Sequence, residues 1–211
     1  MRSVCETEHL YNLAKDIRRN IFKMAYNAGG GHIAPAFSTV EILTALYFGG
    51  VMNYDARNPL AENRDRFILS KGHASAALYA ILARAGFFEE EDLFNYCQDG
   101  SCLGGHPNML EVPGVEATTG AMGHGLGFAT GIAQAGKMDR RDYQVFVLIG
   151  DGECQEGSVW EAALFASTQK LDNLTVILDY NKLQAMDRLD KIVKMEPFTD
   201  KWKAFGWDVA E

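Results

Sequence analysis

Residues 143–181 read YQVFVLIGDGECQEGSVWEAALFASTQKLDNLTVILDYN. Tyr143 to Ile149 is a near-continuous apolar run, the pattern of a central parallel strand. Ser158 to Lys170 has helical composition, and Leu174 to Tyr180 is a second apolar run of strand length. Gly150-Asp151-Gly152 closes the first run and Asn181 the second. Asp151 and Asn181 lie 30 positions apart, the length of one strand–helix–strand unit. An isolated Asp-Gly pair makes only a turn. Here it stands where a parallel sheet collects ligands, outside the carboxyl ends of its strands. Two adjacent parallel strands would bring Asp151 and Asn181 to one place.

The same alternation extends through the chain. Leu10, Leu13, Ile17, Ile21 and Met24 recur every three or four positions and predict an amphipathic helix from Glu6 to about Ala28. Asn27-Ala28-Gly29-Gly30-Gly31 supplies its stop. A second helix is expected from Ser38 to Phe48, with Ser38 and Glu41 forming a capping box. Residues 49–65 are a turn-rich connection. Arg66 to Ser70 reads as a short buried strand running through Lys71-Gly72-His73 into a helix that ends near Arg84. Residues 97–123 contain eight glycines or prolines and no period. A loop of that length inside a compact domain is functional or disordered, and its apolar content favours function. Small residues from Gly123 to about Lys137 predict a closely packed helix. A last helix over about 197–205 leads to a strand start at Trp207-Asp208-Val209. The fold class is α/β, a mainly parallel sheet flanked by helices on both faces. A strand that opens so near Glu211 predicts a single domain over 1–211 that is truncated at its C-terminus.

Composition narrows the function. The 211 residues are 47% hydrophobic and 23% charged, ordinary for a globular chain. A net charge of −8 argues against nucleic acid, whose backbone demands clustered Lys and Arg. No apolar run is long enough to cross a membrane, and Met1-Arg2-Ser3 leads into acidic sequence rather than a signal core. A cytoplasmic location is expected. The four cysteines, Cys5, Cys97, Cys102 and Cys154, lack CxxC spacing. Zinc through Cys97, Cys102 and His106 would want for further ligands, so the thiols read as reduced.

An acidic chain can still hold an anion. Asp151 and Asn181, with a nearby backbone carbonyl, offer the oxygen donors of a hard divalent cation. Gly152 permits close backbone approach, and the helix behind it presents its N-terminus to a phosphate. His32, His73 and His106 are each preceded by glycine. Imidazoles in such loops suit proton transfer near neutral pH. His9 falls on the first helix as an exposed residue.

GDGECQEGSVWEAALFASTQKLDNLTVILDYNKLQ resembles the thiamine diphosphate fingerprint in the form found in transketolases. The resemblance continues through GHIAPAFSTVEILTALYF, ILSKGHASAALYAIL, LGGHPN and EATTGAMGHGLGFATGIA, almost the whole chain. It implies a thiamine diphosphate-binding fold. Asp151, Asn181 and the carbonyl of Leu183 would ligate magnesium, with calcium or manganese as substitutes. Gly152 and His73 would contact the diphosphate, and Gly120 and Met122 the cofactor rings. His32 and His106 would face the substrate and the thiazolium C2. Glu156 would lie near a subunit interface. The chain departs from the family's usual pattern at GGGHIAPA and at TTGAMGHG, where relatives commonly carry Gln in place of His124.

The implied activity is transfer of a two-carbon ketol unit between sugar phosphates. The glutamate that activates the cofactor belongs, in this family, to a pyrimidine-binding domain. That domain would come from later sequence or from a partner subunit, in a heterotetramer or a homodimer-based assembly. Deoxyxylulose-phosphate synthase and the 2-oxo acid dehydrogenase α subunit share GDG…N, but LSKGHAS and LGGHPN favour transketolase. A non-catalytic binding subunit is the reading from another class. A nicotinamide site lacks its GxGxxG.

Overall fold

The computed structural model describes residues 4–211; Met1 to Ser3 and the side chains of Val4, Cys5 and Glu6 lie outside the described residues. Contacts within the chain divide it into two compact units. One comprises residues up to Asp65 together with Gly72–Gly120, and the other Arg66–Lys71 with Ala121–Glu211.

The first unit is helical. Helix α1, Val4–Asn27, buries Leu13, Ile17, Ile21 and Met24, the face expected from their spacing. It stops where Gly29 turns to φ +72°, a left-handed conformation that a side chain resists. The chain then departs from expectation. Ile33–Ser38 forms a short helix α2, and Val40–Phe48 forms α3. Ser38 therefore ends one helix instead of capping the next, and Thr39 occupies the cap without a side-chain cap bond. Glu41 turns instead to Arg18 of α1, whose Nη2 lies 2.6 Å from Oε2. The capping box fails because Ser38 lies inside α2 and the Glu41 carboxylate pairs with a guanidinium across the helices. The guanidinium holds the Glu41 carboxyl below its ordinary range.

Helix α4, Ser75–Arg84, is buried from Ser75 through Ala83 and packs against α1, α2 and α3. Ala76, Ala77, Ala80 and Ala83 permit close approach, while Tyr79, Ile81 and Leu82 fill the core. Residues 97–120 are irregular but turn Leu103, Val112 and Val115 inward. Arg64 and Glu116 form an ion pair about nine-tenths buried on both sides.

The second unit carries the sheet. Strands β1 (Arg66–Leu69), β2 (Val145–Gly150) and β3 (Leu174–Asp179) pair in parallel in the order β1-β2-β3. Central β2 is buried from Val145 to Ile149, as its unbroken apolar run requires. The second run of the opening sequence reads as fully buried. As β3 it pairs only with β2 among the described residues, with Thr175 exposed and Val176 to Leu178 half-buried. Helix α5, Gly125–Met138, packs on the strands and on α6, Gly157–Thr168. A single turn, α7 (Leu189–Ile192), precedes α8, Phe198–Ala204. The strand expected at Trp207 is absent. The Trp207 N–H returns to the Trp202 carbonyl and its indole donates to Ala163 at 3.0 Å, so the segment closes α8 against α6. Among the described residues no helix is long and apolar enough to cross a membrane.

Candidate functional site

The pairing register sets Gly150 opposite Asp179, so the carboxyl ends of β2 and β3 coincide. Asp151 leaves β2 one residue later and is 2% exposed. Its Oδ1 accepts the Gly152 N–H at 2.7 Å, and its Oδ2 accepts the Lys182 N–H at 2.7 Å. The second bond draws the Asn181–Leu183 loop onto the GDG turn. Asn181 Oδ1 accepts from the Leu183 N–H at 2.9 Å, and Lys182 takes φ +65° between them. The expected neighbourhood of Asp151 with Asn181 and Leu183 thus exists, held through Lys182. Burial raises the Asp151 carboxyl above its ordinary range, against the two backbone N–H groups, which lower it. Asp179 raises it further and Lys71 lowers it.

These groups offer oxygen donors of the kind a hard divalent cation takes. Each Asp151 oxygen keeps a lone pair beyond its N–H bond, Asn181 contributes an amide oxygen, and Leu183 stands 62% exposed with its carbonyl in the same turn. No three His, Cys, Asp or Glu side chains gather as metal ligands among the described residues, and Asp151 is the one carboxylate of this donor set.

Several residues around this turn carry structure that sequence reasoning did not single out. Glu153, 2% exposed, accepts from Ser70 Oγ and from the Gly123 N–H (2.7 Å) through Oε1, and from the Gly150 N–H (3.1 Å) through Oε2. One carboxyl therefore ties the ends of β1 and β2 to the loop entering α5. Replacing Glu153 by Gln turns an amide N–H toward the Gly150 N–H. We expect a loss of about 1–3 kcal/mol, read from urea unfolding. Lys71 and Asp179 form a buried ion pair at 2.6 Å. The sequence signal available for all three was position alone, a polar residue within a few positions of a strand's carboxyl end.

Gly152 has a conformation open to any residue, yet a Cβ there would lie 2.9 Å from Gln184 Cγ and 3.0 Å from its Cδ. The Gln184 side chain occupies the space that the missing side chain leaves. Met122 is 45% exposed, and Glu156 caps α6 from an exposed position. A Cβ on Gly123 would meet Glu156 Cβ at 2.6 Å, and Ser158 Oγ donates to the Gly123 carbonyl. His124 caps α5, its Nδ1 3.2 Å from the Met122 carbonyl. Cys154 is buried with its Sγ toward the Gly150 carbonyl, and burial pushes its thiol far up, away from reactivity.

The helical unit gathers the three glycine-flanked histidines. The ring of His32 lies 5.7 Å from that of His73 and 6.3 Å from that of His106, centre to centre. His32 and His106 are exposed and His73 half-buried, so the cluster is open to a ligand. Its backbone is fixed from below. Tyr79 Oη donates to the His106 carbonyl at 2.9 Å, and Ser75 Oγ to the Gly105 carbonyl at 2.9 Å. A Cβ on Gly120 would stand 3.1 Å from the His106 ring, and one on Gly72 would stand 2.8 Å from the Thr119–Gly120 backbone. The glycines thus allow the loop segments to close against one another. Cys97 and Cys102 are exposed free thiols, and His9 is exposed on α1.

A family model described as transketolase, thiamine diphosphate binding domain, matches residues 11–211. The chain belongs to the transketolase family. An apulose-4-phosphate transketolase subunit of Phocaeicola vulgatus is 45% identical over 92% of this chain and 68% of its own length. The 6-deoxy-6-sulfo-D-fructose transketolase subunit SqwG of a Clostridium species is 42% identical over 95% of this chain and 72% of its own. The solved transketolase of Campylobacter jejuni superposes with a TM-score of 0.88 at 33% identity, over 98% of this chain and 33% of that one. This transketolase-family chain spans about a third of the length of the solved transketolases it matches.

Proposed function

We propose that the chain is the thiamine diphosphate-binding subunit of a split transketolase, completed by a pyrimidine-domain partner, with residues 1–211 acting as one cofactor-binding domain. The observation that carries this reading is the double N–H clamp on Asp151. It sets a single buried carboxylate beside Asn181 and Leu183 in a chain of this family. Asp151, Asn181 and the Leu183 carbonyl would hold magnesium. Gly152 and His73 would contact the diphosphate, Gly120 and Met122 the cofactor rings. When bound, the cofactor supplies the electron sink for cleaving a bond beside a ketose carbonyl. His32 and His106 then hold and move protons on the sugar hydroxyls, which their exposure and mutual approach favour. Glu156, exposed at the start of α6, faces the partner. The reaction is transfer of a two-carbon ketol unit between sugar phosphates or their analogues. The two subunit relatives are named for different sugars, so the donor is a matter for assay.

Calorimetry of the purified chain with thiamine diphosphate is expected to show binding that requires magnesium. Ketol transfer should be absent from the chain alone and appear on adding a pyrimidine-domain subunit. Turnover by the single chain would refute the partner requirement. Absence of magnesium-dependent binding even with the partner would favour a non-catalytic scaffold.

A further inference from the structure

The Gln184 amide is placed as an anion donor without an anion. Its Nε2 is buried and has no hydrogen-bond partner. That atom lies 3.3 Å from the position a Cβ would take on Gly152, so the amide sits against the GDG turn itself. The placement is built, not incidental. The Gln184 N–H donates to the Asp187 carbonyl at 2.9 Å, Leu183 bridges Arg188, and the Leu189 N–H donates to the Lys182 carbonyl at 3.0 Å. This small closed loop is anchored at its other end by the bond from Lys182 to Asp151. A desolvated amide N–H left unpaired costs more than a made hydrogen bond contributes, so an orphaned donor against a candidate ligand turn has reason to be completed by a ligand.

Two backbone N–H groups at the turn already have partners within the chain. The Gly152 N–H is already donated to Asp151 Oδ1, and the Gly150 N–H to Glu153 Oε2. Gln184 therefore brings an uncommitted neutral donor to the place where Asp151 would hold a cation. A cation-bound diphosphate has oxygens to spare for such a donor, and a neutral amide adds no charge to compete with the metal.

We infer that Gln184 is a diphosphate-binding residue of this chain, its Nε2 donating to a phosphate oxygen of the magnesium-bound cofactor; the inference rests on the thiamine diphosphate reading above. The test is Gln184→Met, which keeps length and shape while removing the donor. Two quantities are measured on the purified chain: its melting temperature without ligand, and its Kd for magnesium pyrophosphate and for magnesium thiamine diphosphate. Because the unpaired amide is removed, the ligand-free melting temperature should hold or rise. Both dissociation constants should weaken about ten- to a hundredfold, the scale of a hydrogen bond to a charged group. Gln184→Glu, which keeps the polar shape and sets a carboxylate against the phosphate, should weaken pyrophosphate at least as much. It serves the same comparison if the Met variant does not fold. Wild-type protein that binds neither ligand, even with a pyrimidine-domain subunit added, overturns the cofactor reading, and this inference with it. Wild-type binding with unchanged affinity in the variants overturns the role of Gln184 alone, and leaves the amide as packing over Gly152.

Discussion

Asp151→Ala should abolish magnesium-dependent binding of thiamine diphosphate, weakening it on the order of a hundredfold or more while the fold persists. Loss of a mere outer-shell partner of a metal ligand typically costs ten- to a hundredfold. Asp151 offers more, because it supplies the only carboxylate in the proposed set. The structural cost is smaller than its 2% exposure would imply. The substitution strands the Gly152 and Lys182 N–H groups, at about 1–3 kcal/mol. It also removes a carboxyl whose ionised form burial disfavours. The sign is fixed by the raised pKa. Ionised Asp151 costs the ligand-free fold stability at neutral pH, and that cost is relieved as acidification protonates it. A bound cation offsets the same cost from the other side. Cofactor affinity in the wild type should therefore fade on acidification at a higher pH than an ordinary aspartate would give. Asp151→Asn, which keeps an acceptor for one N–H, should fold at least as well as the Ala variant and bind as poorly. Calorimetry together with circular dichroism decides the matter, and unchanged affinity in Asp151→Ala would sink the metal assignment.

The sheet and its carboxyl-terminal turn were legible because they follow from local patterns. The run from Val145 to Ile149 could only be a buried strand. The 30-residue return to Asn181 required a parallel neighbour, found as β2 against β3. What failed was decided by tertiary partners. Ser38 and Glu41 spell a capping box, but Arg18, 23 positions before Glu41, claims its carboxylate. Trp207 to Val209 has the composition of a strand start, yet the Trp207 indole finds the Ala163 carbonyl on α6. Helix α2 went unread in the sequence; it carries Pro35 in its first turn, where proline is tolerated. Among site residues, those in glycine-marked loops could be named from sequence. Glu153, Lys71, Asp179 and Gln184 could not, since each acts through a partner brought in by the fold. Gln184 shows the difference most clearly. Sequence shows that Gly152 lacks a side chain, but not that the Gln184 amide, 32 positions later, packs against the space this leaves.

Lys71→Met should destabilise the protein by about 3–5 kcal/mol, the largest stability loss expected here. Lys71 Nζ lies 2.6 Å from Asp179 Oδ2, and the two side chains are 4% and 6% exposed. Removing one member of a buried pair leaves the other charge desolvated, which costs far more than the pair contributes. Asp179 stays at the end of β3, where Asn181 Nδ2 at 3.5 Å is a weak substitute for an ammonium. Replacing both groups, as Lys71→Met with Asp179→Leu, should recover at least half of the loss, because no charge is then stranded. The consequence reaches the proposed cation site. Lys71 lowers the Asp151 carboxyl and Asp179 raises it, so the single variant pushes Asp151 further up. Magnesium-dependent binding in Lys71→Met should fail on acidification at a higher pH than in the wild type. Denaturant unfolding of the single and double variants tests the first claim, and binding measured across pH tests the second. A loss below about 1 kcal/mol in the single variant would show that water reaches the pair, and would remove its influence on Asp151 as well.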